Sequence, residues 1–115
     1  MKYTLKEIQI ILFAMDTSDK KNHEGKFFPR TFPIAQAFDI SQISKQISVH
    51  SNEEGIIAGE EFEMDFSTSE KKLILDCISR EWTRLDLPIY LTLHEKLEGK
   101  VKETEGINDE SKSKK

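Results

Sequence analysis

The 115-residue chain has little of what usually announces chemistry or covalent bracing: one cysteine, one tryptophan, three prolines and five glycines. A lone Cys77 forms no internal disulfide, so nothing demands an oxidising compartment and a cytoplasmic protein is expected. No apolar run approaches the roughly 18–20 residues that span a bilayer. The N-terminal stretch IQIILFAM follows Lys2, Lys6 and Glu7 and precedes no small-residue cleavage site, so neither a membrane span nor a removable leader is expected. The scattered glycines build none of the phosphate-cradling patterns, and G-x-S-x-G is missing. Length leaves room for one small domain and excludes a TIM barrel, a kinase or a Rossmann unit with a substrate domain. His23, His50 and His94 stand in unrelated contexts. His94-Glu95 begins like a zinc-protease helix, but Glu98 occupies the place of the second histidine, so no metal or cofactor is expected.

What the chain does contain is 42 apolar and 38 charged residues with a net charge of −4. The aliphatic set is lopsided, thirteen Ile and nine Leu against two Val and four Ala, as AT-rich codons would give. This composition suggests a low-GC bacterium or one of its phages as the source. The last fifteen residues hold only Val101 and Ile107 as apolar side chains, too few to offset about 1–2 kcal/mol of backbone entropy per residue. Residues 1–99 are therefore expected to form one folded domain and residues 100–115 a disordered charged tail. No internal repeat and no linker is apparent within residues 3–99.

Thr4-x-x-Glu7 is a capping-box pattern, and apolar residues at three and four spacing carry a helix from Leu5 to Met15. The run DTSDKKNHEG reads as a connecting loop. Pro33, with Thr31 as a candidate cap, starts a second helix over Pro33–Ser48 whose stripe is Ile34, Ala37, Phe38, Ile43 and Ile47. SNEEG is a turn. GEEFEMDF alternates acidic and apolar residues like a half-buried strand; its candidate partners are Ile47–His50, Gly55–Ala58 and Phe27–Phe32. Ser67-x-x-Glu70 caps a third helix with Ile74, Ile78 and Trp82 on one stripe and Cys77 as a core thiol. Leu87–Glu98 alternates ambiguously, but Asp86, Pro88 and Gly99 favour a fourth helix. The fold class expected is mainly α, a bundle of about four helices with room for one short β pair; the alternative is α+β.

Two segments stand out as interaction surfaces. Residues 51–66 carry six acidic side chains and no basic one. Glu53, Glu54, Glu60, Glu61, Glu63 and Asp65 lack calcium-loop spacing, so they read either as a solvated face or as a docking strip, with Phe62, Met64 and Phe66 as apolar anchors. The second segment interleaves Lys20, Lys21 and Lys26 with Phe27, Phe28, Arg30 and Phe32, the composition of a single-strand nucleic-acid platform or of phenylalanines plugging a core.

The succession YTLKEI, FPIAQAF, STSEKKLILDCI and LTLHEKLEG resembles small helical accessory proteins of tailed phages and prophages of low-GC bacteria. The likeness is one of pattern over residues 3–99, and it carries no functional residue with it. It implies a binding role, in particle assembly or in blocking a host protein, and no enzymatic activity. The expected function is thus a non-enzymatic accessory or inhibitor protein that docks a basic partner protein through residues 53–66. The alternative is a nucleic-acid-associated protein using residues 20–32.

Overall fold

Two capping boxes nucleate the two helices at the centre of the molecule. In the computed structural model, which describes residues 1–98, strand β1 (Lys2–Thr4) runs directly into helix α1 (Leu5–Asp16). The Thr4 hydroxyl accepts from the Glu7 N–H at 3.2 Å while the Glu7 carboxylate accepts from the Thr4 N–H at 2.9 Å. Helix α3 (Thr68–Ile78) begins in the same way, with Ser67 and Glu70 exchanging bonds of 3.2 and 2.9 Å. Four orphan N–H groups open every helix, and each box satisfies two such donors reciprocally.

Between these helices lie strands β2 (Thr17–Lys21) and β3 (Phe27–Pro29), a 3₁₀ turn (Ile34–Gln36), helix α2 (Ala37–Ser48) and strand β4 (Glu61–Glu63); helix α4 (Leu87–Glu98) follows α3. Four α-helices and two small antiparallel sheets therefore make up the described residues. None of the helices is long and apolar enough to cross a membrane. The expected tail at 100–115 lies outside the described residues.

Several expectations are corrected. DTSDKKNHEG is no plain loop: Thr17–Lys21 pairs with Phe27–Pro29 as a hairpin. Strand β4 pairs with none of its three candidates but with β1, in the register Lys2 to Glu63, Tyr3 to Phe62 and Thr4 to Glu61. The second helix starts late, because Pro33 leads only into the 3₁₀ turn and Thr31 caps nothing; Ile34 and Phe38 are exposed, leaving Ile43 and Ile47 buried. Helix α3 stops at Ile78, where the Ser79 hydroxyl bonds back to the Leu75 carbonyl at 2.8 Å. Trp82 thus lies beyond the helix and folds back, its indole N–H donating to the Ile78 carbonyl at 2.9 Å.

The structure also contains the internal repeat that the sequence conceals. Tyr3, Thr4, Glu7, Ile10, Ile11, Ala14 and Met15 occupy the same places as Phe66, Ser67, Glu70, Leu73, Ile74, Cys77 and Ile78, every pair offset by 63 positions. Apart from the two caps, all of these residues are buried. Helices α2 and α4 correspond at an offset of 50: both have 12 residues, and Ile43, Gln46 and Ile47 match Leu93, Lys96 and Leu97. The first half differs by its hairpin, residues 17–29, whose length is the difference between the two offsets. Met64 N donates to Met1 O at 3.1 Å, which joins two positions that themselves stand 63 apart.

The halves are interlocked. Helix α4 of the second half packs on α1, and α2 of the first packs on α3. Lys96 donates to Glu7 at 2.7 Å and to the Lys2 carbonyl at 2.9 Å. At the equivalent place Gln46 donates to Glu70 at 3.3 Å and accepts from Asp65 N at 2.8 Å. The Tyr3 and Phe66 rings meet edge to face, 5.5 Å apart, across the join.

Among the described residues Tyr3 alone buries a side-chain polar atom without a hydrogen-bond partner, its hydroxyl, whereas Phe66 has no such atom. Burial, then the Glu7 charge, pushes its phenol up to about 12. Tyr3→Phe should raise stability by roughly 1 kcal/mol in urea unfolding at neutral pH, since an unsatisfied polar group is removed. A phenol raised in the folded state stabilises below its ordinary value of 10.0 and loses that contribution as pH rises towards about 12. The variant should therefore also resist alkaline unfolding better, and a lower midpoint at both pH values would contradict this account of the site.

Candidate functional site

The acidic segment is tied to the domain by hydrogen bonds and by its buried side chains. After α2, Asn52 shapes a tight turn by accepting from Glu54 N at 2.8 Å and Ile56 N at 3.0 Å, while Gly55 takes φ +80°, a conformation side chains disfavour. Ser51 and Ile57 then bridge as an incipient hairpin. Farther on, the pleat sorts the residues: Phe62, Met64 and Phe66 are buried in the core, and Glu61, Glu63 and Asp65 face water. Glu53, Glu54 and Glu60 are exposed as well. The expectation that Phe62, Met64 and Phe66 serve as anchors for a partner is thus corrected, because they are consumed by the domain's own core. Glu63 pairs with the N-terminal ammonium, whose hydrogen bond holds its carboxyl below the ordinary range.

The basic and aromatic segment is divided. Its turn repeats the other one: Asn22 accepts from Glu24 N at 2.8 Å and Lys26 N at 3.0 Å, with Gly25 at φ +83°. Lys20, Lys21 and Lys26 are exposed, and Phe28 is half exposed. Phe32 packs against the core instead. Arg30 turns inward, where its Nε donates to Ala14 O at 2.7 Å and Thr17 O at 3.2 Å, and its Nη2 to Cys77 O at 3.4 Å. Ala14 and Cys77 are equivalent positions of the two halves, so one guanidinium grips the ends of both central helices. Neither helix has a basic residue in its last turn. Arg30 supplies the positive charge that helix C-termini favour.

A groove missed in the sequence lies at that same end. Lys6, Ile10 and Phe13 of α1, Phe27 of β3, and Trp82 and Ile89 line a cavity of about 340 Å³. Beside it, sharing Phe27 and Trp82, opens a second cavity of about 590 Å³ reached by Asp19, Lys21 and Arg80. The Arg80 guanidinium sits over Phe27, Phe13 and Trp82 at 4.8, 5.0 and 5.7 Å from their centroids. Burial among these rings, with the charge of Arg30 nearby, pushes its pKa below the ordinary value. The signal for this groove was the R-E-W that follows α3, but only the fold brings it to Phe13 and Phe27.

Other chemistry finds little support in the geometry. Cys77 is buried, which pushes its thiol up and away from the reactive thiolate. His94 pairs with Glu98 at 3.3 Å. Among the described residues no group of three His, Cys, Asp or Glu side chains could hold a metal ion.

The division between anchors and open rings is measurable. Phe62→Ala should cost roughly 3–5 kcal/mol in urea unfolding, as a buried aromatic does, and Phe28→Ala no more than about 0.5 kcal/mol. Equal effects would place Phe62 on the surface. Comparison of the chain with protein-family models, with curated proteins and with solved structures found no match.

Proposed function

We propose that the chain is a non-enzymatic accessory or inhibitor protein that docks a basic partner protein through the carboxylates of Glu53, Glu54, Glu60, Glu61, Glu63 and Asp65. The observation that carries this reading is the sorting along β4. Burial of Phe62, Met64 and Phe66 fixes Glu61, Glu63 and Asp65 outward on a ribbon, so the charges form a preorganised face. The Gln46 contact to Asp65 N and the His50 contact to the Glu63 carbonyl at 3.1 Å hold that face in place. Preorganisation matters because ordering a flexible strip on binding would cost part of the affinity gained. Exposed charges of one sign raise the association rate more than they add affinity. The nucleic-acid reading is less well supported, since Arg30 and Phe32 are committed to the fold. The buried, unreactive Cys77 suits a reducing compartment such as the cytoplasm.

Replacing Glu60, Glu61, Glu63 and Asp65 by Gln or Asn preserves side-chain size. Against the partner recovered by pull-down, the variant should keep its thermal midpoint while its association rate falls about tenfold or more at low salt. Its residual rate should also lose salt dependence. Equal kinetics for both proteins at low ionic strength would reduce the acidic face to a solvated surface.

A further inference from the structure

The β2/β3 hairpin supplies no residue to the buried core, so core stability does not explain it. What it does supply is Phe27, which closes the groove against Phe13 at 5.5 Å between ring centroids. The hairpin also supplies the oxygens that orient Arg80. Nη1 donates to Thr17 O at 2.8 Å and to Thr17 Oγ1 at 3.2 Å, and Nη2 donates to Ser18 O at 2.8 Å. These bonds engage both Nη1 and Nη2. The Nε–H has no hydrogen-bond partner among the described residues, Nη2 has a second N–H beyond the one given to Ser18 O, and no carboxylate of the described residues forms an ion pair with Arg80, on which Asp19 acts only as a nearby charge.

We propose that this groove is a binding site for a small, flat, apolar molecule carrying one carboxylate. Two parallel N–H donors on one guanidinium edge match the two oxygens of a carboxylate, the geometry in which such bonds are strongest and most specific. Phe27, Phe13 and Trp82 offer ring faces and edges to an apolar body, and both cavities fall within the roughly 300–1,000 Å³ usual for ligand pockets. The rim sets the charge. Asp19, Glu81 and Asp86 are matched in number by Lys6, Lys21 and Arg80, so the groove holds no surplus positive charge to favour a doubly charged phosphate over a single carboxylate. This site is separate from the acidic face, because β1 and β2 lie at opposite ends of α1, about 18 Å apart for a 12-residue helix.

Trp82 is the only tryptophan, so its emission reports on the groove directly. The full-length protein is titrated with 3-phenylpropionate, with its uncharged amide and with benzylphosphonate, and chemical-shift changes at the Trp82 indole N–H and Arg80 Nε–H locate the binding. The carboxylate should give a saturable response, and the amide should bind about tenfold more weakly for want of the charge-assisted pair. The phosphonate should bind no more tightly than the carboxylate. Arg80→Lys, checked for folding by circular dichroism, should bring the affinity for 3-phenylpropionate down towards that of the amide; the acid and amide pair on the natural protein decides the matter if that variant does not fold. Absence of a saturable response, equal affinities for acid and amide, tighter phosphonate binding, or shifts confined to other residues would each overturn the assignment.

Discussion

The fold depends on two buried glutamates doing two jobs each. Glu7 and Glu70 are the only buried charged side chains among the described residues. Each closes a capping box on its own helix and then accepts a hydrogen bond from a helix of the other half, Lys96 in one case and Gln46 in the other. A local device that starts a helix is thereby made into a long-range clamp that fixes where the outer helix sits. The two clamps differ in kind. The first is an ion pair between the buried Glu7 and the partly exposed Lys96, so removing the lysine would leave a buried carboxylate without its compensating charge. The second joins a carboxylate to a neutral amide that also receives Asp65 N, so it trades Coulombic strength for one more backbone contact.

Charge elsewhere follows the direction of the two central helices. Their N-termini, positive by virtue of the helix dipole, lie at the β1/β4 ribbon, and there the outward side chains are Glu61 and Glu63 together with the exposed Lys2. Their C-termini lie at the hairpin end, where Arg30 and Arg80 donate to the carbonyls of Ala14, Cys77, Thr17 and Ser18. The segregation of acid and base along the chain is therefore not arbitrary, since each cluster stands where the backbone favours its sign. This placement has a cost, since burial first and then the nearby charge of Arg30 make protonation of Arg80 less favourable.

Legibility in the sequence divides along the range of the interactions. Both capping boxes, the third helix start and the fourth helix were readable because their causes lie within four residues of one another. The β1/β4 pairing was not, because Lys2 and Glu63 meet only after α1, the hairpin and α2 have been folded between them. Strand β2 escaped because TSDKK has no apolar alternation to signal it. Its true signal was the repeated N-x-E-G, Asn22 to Gly25 and Asn52 to Gly55, in which an asparagine side chain organises the turn and a glycine takes positive φ. The internal repeat hid behind two different offsets and few identities: Glu7, Ile11 and Leu12 recur as Glu70, Ile74 and Leu75, but most of the other pairs conserve only burial. Of the candidate sites, exposure of the six carboxylates follows from their composition. The loss of Phe62 and Met64 to the core follows from period two, once the strand is known to be paired and covered on one face.

The repeated burial pattern gives a way to separate scaffold from adaptation. Tyr3, Glu7, Ile10, Ile11, Ala14 and Met15 are matched in burial by Phe66, Glu70, Leu73, Ile74, Cys77 and Ile78, while the buried Ile8 falls opposite the partly exposed Lys71. Among the described residues two segments stand outside this pattern: the hairpin of residues 17–29, and the acidic connection that leaves α2 and enters β4, whose corresponding place after α4 lies beyond residue 98. The hairpin leaves the buried core untouched, and the connection keeps Glu53, Glu54 and Glu60 in water. The shared burial pattern explains neither segment. It is at these departures that the unshared chemistry gathers, carboxylates at one end of α1, and rings with a half-engaged guanidinium at the other. Each segment is also tied to the scaffold, the connection through Ile57 against the core and the hairpin through its carbonyls on Arg80, so each adds exposed chemistry to a structural role.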